Sequence, residues 1–392
     1  MSEVDLSIKF MGLDFKNPYI LAPAPPTWDA KRTIKGIESG WAGAIPKTFS
    51  MQRMHYTRPR HALVKHRGYI AGLASTEEIS EYPVEWWEKE IAKVLPVAKK
   101  NDARLGASIM TEADPESWAK LARRTEEMGV DFIELNLSCP IGVPDKGMGM
   151  SIARNSKLME AITHAVKKAV SVPVMNKLTP NVADVVDTAM ASKKGGADAV
   201  SAIAMYLCIP RVDVETGTPI PNVRGYTTPS CVAGPLIRPM ALRAVAEIRN
   251  RVGIPVAGMG GVEDWRSSVE FIMCGADALQ VATVVMLYGF DIVNKWMKDL
   301  RAFMERKGYS CVDDFKGVAA KKIVPYSDIE VDSKVVAFVD EKRCTGCGLC
   351  VYCLFDAIEV VGKKAKIDRK KCNGCGQCME ICPVNAVSFR KL

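Results

Sequence analysis

Between Pro18 and Val284 the sequence alternates eight times between a short apolar run and a longer stretch with the apolar period of a helix. The runs are PYILAP from Pro18, GAIPKT from Gly43, RLGASIM from Arg104, DFIELNLSC from Asp131, PVMNKL from Pro173, ADAVSAIAM from Ala197, IPVAGMG from Ile254 and ADALQVATV from Ala276. Helical periodicity covers Asp114 to Met128, Asn155 to Val170, Asn181 to Lys194, Pro239 to Val252 and Asp264 to Cys274. This is the pattern of parallel strands joined by crossover helices. Eight such units fit an α/β fold closed as a TIM (β/α)8 barrel, whose usual size is about 250 residues. A barrel interior is packed and only the C-terminal rim of its strands is open, so chemistry is expected where the strands finish. The segments Tyr56 to Tyr82 and Tyr206 to Arg238 follow strand ends and are too long for simple connectors. They are expected to form walls and lids over that rim.

Two cysteine runs 28 residues apart follow the barrel region: CTGCGLCVYC with Cys344, Cys347, Cys350 and Cys353, then CNGCGQCMEICP with Cys372, Cys375, Cys378 and Cys382. In two-cluster ferredoxins each 4Fe-4S cubane takes three cysteines from one run and the distant fourth from the other. The expected sets are Cys344, Cys347, Cys350 and Cys382, and Cys372, Cys375, Cys378 and Cys353. A zinc ribbon is the rival use of Cys-x-x-Cys pairs, but the four-cysteine runs and the Cys382-Pro383 ending argue against it. The first run closes with two intervening residues and lacks the proline, so its Cys353 departs from the usual spacing. The expected organisation is a barrel over 1–311, a linker over 312–335 and a small α+β ferredoxin-like module over 336–392. The linker is poor in glycine and serine, which suggests that it packs.

Eight of thirteen cysteines sit in these runs. They need free thiolates and a reducing compartment, which sets aside a disulfide scaffold. No apolar stretch approaches the roughly 20 residues of a membrane span, and the start MSEVDLSIKF lacks the plan of a secretion signal, so a cytoplasmic protein without a membrane partner is expected. The net charge of +8 is spread along the chain and argues no nucleic-acid stripe. A local basic excess from Lys363 to Lys371 is either a solvated face or a docking patch for an acidic redox partner.

Polar or reactive residues gather at the expected strand ends: Lys47, Asn136, Ser138, Cys139 and Lys177. Near the seventh and eighth strands lie Gly260, Gly261, Ala282 and Thr283, the corner of such a barrel whose backbone amides can approach a phosphate.

The string ELNLSCP at Glu134 to Pro140, with PKTFS from Pro46, NKLTPN from Asn176, IRPMALRAV from Ile237 and GMGGVEDW from Gly258, resembles the dihydropyrimidine dehydrogenase family. The likeness is to its FMN barrel plus terminal two-cluster module, as in the catalytic subunit of the two-subunit bacterial enzymes. Class I dihydroorotate dehydrogenases are more distant relatives. The resemblance covers nearly the whole chain, including DLSIKFMGLDFKNP from Asp5. It implies that Lys47, Asn136 and Lys177 hold the isoalloxazine ring and ribityl chain of FMN. Ala22, Pro23 and Ala24 would lie under the ring, and Gly234, Gly260, Gly261, Ala282 and Thr283 would surround the phosphate. It also implies that Cys139 is the general acid, on a glycine-rich loop from Pro140 to Ala153. A thiol of ordinary pKa about 8.5 is a neutral proton donor at pH 7; a buried structural cysteine is the plainer reading.

The sequence departs from the family at the substrate. Pyrimidine-acting relatives surround the ring with further asparagine or threonine side chains. This chain keeps Asn136 but has Ser75, Ala204 and Met205 at the other positions, and Ile141 on the loop. Each unpaired polar group of a bound cyclic diamide costs about 1–3 kcal/mol. Cys208 lies close to this altered wall and is read as structural. Three functions remain in view: reduction, or in reverse formation, of the C=C bond of uracil or thymine; the same chemistry on a non-pyrimidine cyclic or acyl enone; and an electron-relay subunit without its own substrate. No G-x-G-x-x-G dinucleotide fingerprint follows an early strand, so electrons are expected from a partner. The resemblance implies an FAD- and NAD(P)-binding flavoprotein subunit, with a soluble ferredoxin as the alternative, and a homodimer or heterotetramer.

Overall fold

The computed structural model describes residues 4–55, 57–139, 148–329 and 335–391. Eight parallel strands close a barrel in sequence order: β1 (Tyr19–Leu21), β2 (Gly43–Ala44), β3 (Arg104–Ile109), β4 (Phe132–Asn136), β5 (Val174–Lys177), β6 (Ala199–Ala202), β7 (Val256–Met259) and β8 (Ala278–Val281). The ring shuts where β8 pairs with β1, Leu279 opposite Tyr19. All eight fall inside the apolar runs seen in the sequence. Residues of β4 show the two-sided burial of a parallel sheet: Phe132 to Asn136 are all buried. Glu134 and Asn136 share one face and Ile133 and Leu135 the other, because successive side chains alternate.

The helices start where a short polar side chain takes the first free amides. Asp29 accepts from Arg32, Asp114 from Ser117, Asn155 from Leu158 and Asp264 from Ser267. The helix expected from Asn181 begins instead at Val185, capped by Asp184. Asn181 has other work: its amide donates to the Met205 carbonyl at 3.0 Å and accepts from the Leu207 amide at 3.0 Å. A helix over Val84–Lys100 lies in the stretch before β3. An N-terminal hairpin, Ile8–Phe10 with Leu13–Phe15, covers the opposite end of the barrel, where the Phe15 and Phe132 rings lie 6.4 Å apart.

The two long excursions pair with each other. Strands His61–His66 and Tyr69–Ser75 from the first, and Tyr206–Cys208 and Ser230–Ala233 from the second, make one antiparallel sheet. Ser75 pairs with His61 on one side and Cys231 on the other, so these three residues share a face.

The chain divides into two compact units, Met1–Ile323 and Val324–Leu392. The expected linker over 312–335 is therefore split. Val312, Phe315 and Ala320 are buried in the barrel unit's core, whereas Val335 begins a strand of the second unit. In that unit Val335–Val339 pairs antiparallel with Val387–Lys391, and Ile358–Val361 with Lys364–Ile367. Its small core, Ala337, Cys378 and Val387 with Cys350, Cys372 and Cys382 packed against it, is built partly from the cysteines. A module this small usually needs a metal centre or another cross-link to stay folded.

Candidate functional site

A cavity of about 1320 Å³, counted out to its open mouth, sits at the C-terminal end of the barrel strands. It gathers the barrel residues expected to serve cofactor, substrate and proton transfer, whereas Cys208, read as structural, is not among its lining residues. Ala22, Pro23 and Ala24 follow β1 along one edge, Lys47 and Thr48 follow β2, and Asn136, Ser138 and Cys139 come from the end of β4. Lys177 ends β5, and Ala204 and Met205 lie just past β6. Gly234, Gly260, Gly261, Ala282 and Thr283 line the β7–β8 side, and Ser75 belongs to the paired excursions. Of the loop expected over Pro140 to Ala153, residues 140–147, with Ile141, lie outside the described residues; Met150–Ala153 form a short helix.

The cavity walls also carry groups that the sequence reading missed. Glu77 is 3% exposed and accepts from Lys47 Nζ and Arg60 Nε at 2.6 Å each, with His61 Nε2 at 3.5 Å. Burial works to raise its pKa. The charge of Lys47 and hydrogen bonds from His61, Lys47 and Arg60 overcome it and hold the carboxyl well below the usual carboxylate range. Beneath the cavity a second buried carboxylate, Glu134, accepts from Ser108 Oγ at 3.2 Å, Ser201 Oγ at 3.0 Å and Gln280 Nε2 at 2.8 Å, with Lys177 Nζ at 3.7 Å. An acidic residue inside an apolar strand, two positions before Asn136, was the available signal.

From Glu134 a continuous hydrogen-bonded path leads upward. Ser108 Oγ pairs with Thr48 Oγ1 at 2.8 Å, and Asn136 Nδ2 donates to Thr48 Oγ1 at 2.9 Å. Asn136 Oδ1 in turn accepts from the Ser138 amide at 3.1 Å and hydroxyl at 2.7 Å. The Asn136 amide is therefore fixed in orientation beside Cys139. Burial first, and then the Glu78 carboxylate, push the Cys139 thiol above its ordinary range, against the pull of Lys47, Lys177 and Asn136. A cysteine so placed stays protonated at neutral pH. Cys231, also on the cavity wall, is driven up by burial with Cys139 and Cys208 adding to the shift. It packs with Met150 and Met205, so this side of the cavity is sulfur-rich and apolar.

Backbone geometry adds a cradle. Gly234, Gly260 and Gly261 have φ of +101°, +104° and +107°, values that L side chains rarely adopt. A Cβ at Gly261 would meet Arg238 Cβ at 2.7 Å and the Gly234 carbonyl at 3.0 Å. Glycine is thus required where two loops meet next to Thr283, an arrangement that lets amides approach a phosphate. Gly149, φ +46°, lies so close to the Cys139 carbonyl that a Cβ would collide with it. Gly149→Ala is expected to displace Cys139 and cut turnover about 100-fold, the usual scale for an ångström of misplacement. A steady-state assay checks it, with flavin content measured alongside.

The second unit holds its eight cysteines around two hollows. One is ringed by Cys344, Cys347, Cys350 and Cys382. The other has Cys353, Cys372, Cys375 and Cys378, with Cys350 touching both. Backbone amides donate to sulfur from Ala365 to Cys344 and Ala337 to Cys372, both at 3.4 Å, and from Ala386 to Cys382 at 3.2 Å. Such donors suit the charge of cluster-bound thiolates. Among the described residues no three His, Cys, Asp or Glu side chains are grouped as a site for a single metal ion.

A (β/α)8 barrel with a glycine-lined cradle and a half-buried thiol at its mouth, followed by a cysteine-ringed module, is the arrangement of a cofactor-dependent redox enzyme. The family model for dihydroorotate dehydrogenase matches residues 5–304, and that for a 4Fe-4S binding domain matches residues 365–388, which contain the second cysteine run. The NAD-dependent dihydropyrimidine dehydrogenase subunit PreA of Escherichia coli is 33% identical over 90% of this chain and 86% of its own length. The chloroplastic dihydropyrimidine dehydrogenase (NADP(+)) of Arabidopsis thaliana is 30% identical over 84% and 80%. The catalytic subunit of dihydroorotate dehydrogenase B (NAD(+)) of Thermococcus kodakarensis is 34% identical over 81% and 99%. A crystal structure of dihydroorotate dehydrogenase from Eimeria tenella, in complex with ferulenol, superposes with a TM-score of 0.67 over 80% of this chain and 88% of that one, at 16% identity, a likeness of fold. The chain belongs to the dihydroorotate dehydrogenase family and is an oxidoreductase. Membership implies a flavin in the barrel, and the domain match a 4Fe-4S cluster in the second unit. No helix among the described residues is long and apolar enough to cross a membrane.

Proposed function

We propose that this enzyme reduces, or in reverse forms, the C=C bond beside a carbonyl, using FMN in the barrel cavity and two 4Fe-4S clusters in the second unit. The observation that carries the reading is a thiol kept protonated by its surroundings, Cys139, in the same cavity as Lys47, Lys177 and the glycine cradle. When bound, the flavin would supply hydride transfer and one-electron uptake. Cys139 gives the proton to the carbon beside the reduced one, and Asn136 orients the substrate carbonyl next to it. Lys47 and Lys177 provide positive charge toward the ring, each steadied by a buried carboxylate. Gly234, Gly260, Gly261, Ala282 and Thr283 take the phosphate. The hollows support the crossed cluster sets, Cys344, Cys347, Cys350 and Cys382 with Cys372, Cys375, Cys378 and Cys353. Electrons then come from a partner, either an FAD- and NAD(P)-binding subunit of a heterotetramer, as PreA's description as a subunit suggests, or a ferredoxin.

The test is to reduce the protein anaerobically and follow flavin reoxidation by uracil, thymine and a panel of enones. Reoxidation by any of them supports the reading, and reoxidation by none points to an electron-relay subunit instead.

The dihydropyrimidine dehydrogenases among the relatives make uracil or thymine the first substrates to try. A second reading rests on the wall formed by Ala204, Met205 and Cys231, which offers no side-chain amide or hydroxyl. A cyclic diamide would leave N–H and C=O groups unpaired there, whereas a less polar cyclic or acyl enone would not. Putting donors and acceptors back, as Ala204→Asn with Met205→Thr, is expected to raise kcat/KM for uracil about tenfold, one recovered hydrogen bond's worth. An unchanged value would count against the apolar-wall reading.

A further inference from the structure

Among the described residues, the cavity lining holds one buried side-chain polar atom with nothing to bond. Gln280, on β8, is 2% exposed and lines the cavity. Its Nε2 donates to Glu134 Oε2 at 2.8 Å, while its Oε1 has no partner. The amide cannot be turned round to exchange the two ends. The Glu134 carboxylate offers only acceptors, so Oε1 in the place of Nε2 would set oxygen against oxygen. Glu134 is itself held by Ser108, Ser201 and Lys177. An unmatched buried carbonyl oxygen costs about 1–3 kcal/mol, so its place on a cavity wall reads as an acceptor kept for a ligand's donor.

Position says which donor. Ala282 and Thr283, two and three residues further on, belong to the phosphate corner, and Lys177 on the far side of Glu134 belongs to the ring side. Between the ring and the phosphate of FMN lies only the ribityl chain, whose hydroxyls are donors. We propose that Gln280, its amide locked by Glu134, is a cofactor-binding residue whose Oε1 accepts from a ribityl hydroxyl. This inference rests on the cavity being the flavin site.

The experiment is equilibrium binding of FMN, riboflavin and lumiflavin, which lacks the ribityl chain, to flavin-depleted full-length protein, followed by flavin fluorescence. Gln280→Leu and Gln280→Met keep much of the bulk and remove the acceptor. Loss of one neutral hydrogen bond should raise the Kd for FMN and riboflavin about five- to tenfold and leave lumiflavin within twofold. The second substitution stands in if the first fails to fold. Unchanged FMN affinity overturns the proposal, since the oxygen is then satisfied by water. Equal weakening for all three flavins also overturns it, as a contact with the ring or general damage to the site. Wild-type protein that binds none of the three rejects the flavin-site reading itself, so the two failures stay distinct.

Discussion

Cys139→Ala is expected to lower turnover by about 10²- to 10⁴-fold, the usual contribution of a positioned general acid, with flavin and cluster absorbance at wild-type levels. The loss should fall on kcat, since alanine leaves the Asn136 and Lys47 contacts intact. Full activity in the variant would assign the proton to another donor. The pH dependence follows from the sign of the shift. Burial and Glu78 raise the thiol's pKa, so the protonated donor persists above the ordinary thiol value of about 8.5. Reductive turnover should therefore be flat through neutral pH and fall only in alkaline solution. The reverse reaction needs the thiolate as base and should rise over the same range. A reductive profile that instead declines between about pH 6 and 7 would assign the proton to a donor other than Cys139.

How much of this was legible in the sequence depends on how local the cause was. The strands announced themselves because parallel barrel strands are buried on both faces, as the run from Phe132 to Asn136 illustrates. Helix starts were legible where a cap sat directly before the apolar period. The helix expected from Asn181 starts instead after Asp184, because the Asn181 side chain is held by long-range bonds to Met205 and Leu207. Pairing of the two excursions was not legible, because Ser75 and Cys231 become neighbours only through the register of a sheet whose strands lie about 150 residues apart in the chain. For the same reason Cys231 escaped notice as a wall residue. Glu77 and Glu134 were missed for another cause: an isolated acidic residue normally signals a solvated position, and only the surrounding cations or hydroxyls reveal a buried one.

Glu77→Gln is expected to be the most destabilising of the substitutions considered, by about 3–5 kcal/mol, the cost of breaking a buried ion pair from one side. Lys47 is the reason. Its side chain is 8% exposed and its ammonium sits 2.6 Å from Glu77; a neutral amide leaves that charge uncompensated in a medium that solvates it poorly. Pairing Glu77→Gln with Lys47→Met should recover most of the loss, because a missing pair costs far less than half of one. The measurement is the barrel unit's denaturant midpoint by tryptophan fluorescence, with Trp28 as a near reporter, 5.9 Å from the Lys47 ammonium. The pH dependence has a fixed sign. Folding depresses the Glu77 pKa, so its contribution is present above the unfolded value of about 4.3 and is lost as pH falls toward the folded value. The gap between wild type and Glu77→Gln should therefore stay constant from about pH 6 to 8 and narrow progressively as the pH falls below about 4. A gap that persisted undiminished in acid would mean that the amide disturbs packing and not charge. In that case Lys47 would owe its position to the Trp28 face and the backbone after β2, with Glu77 a bystander.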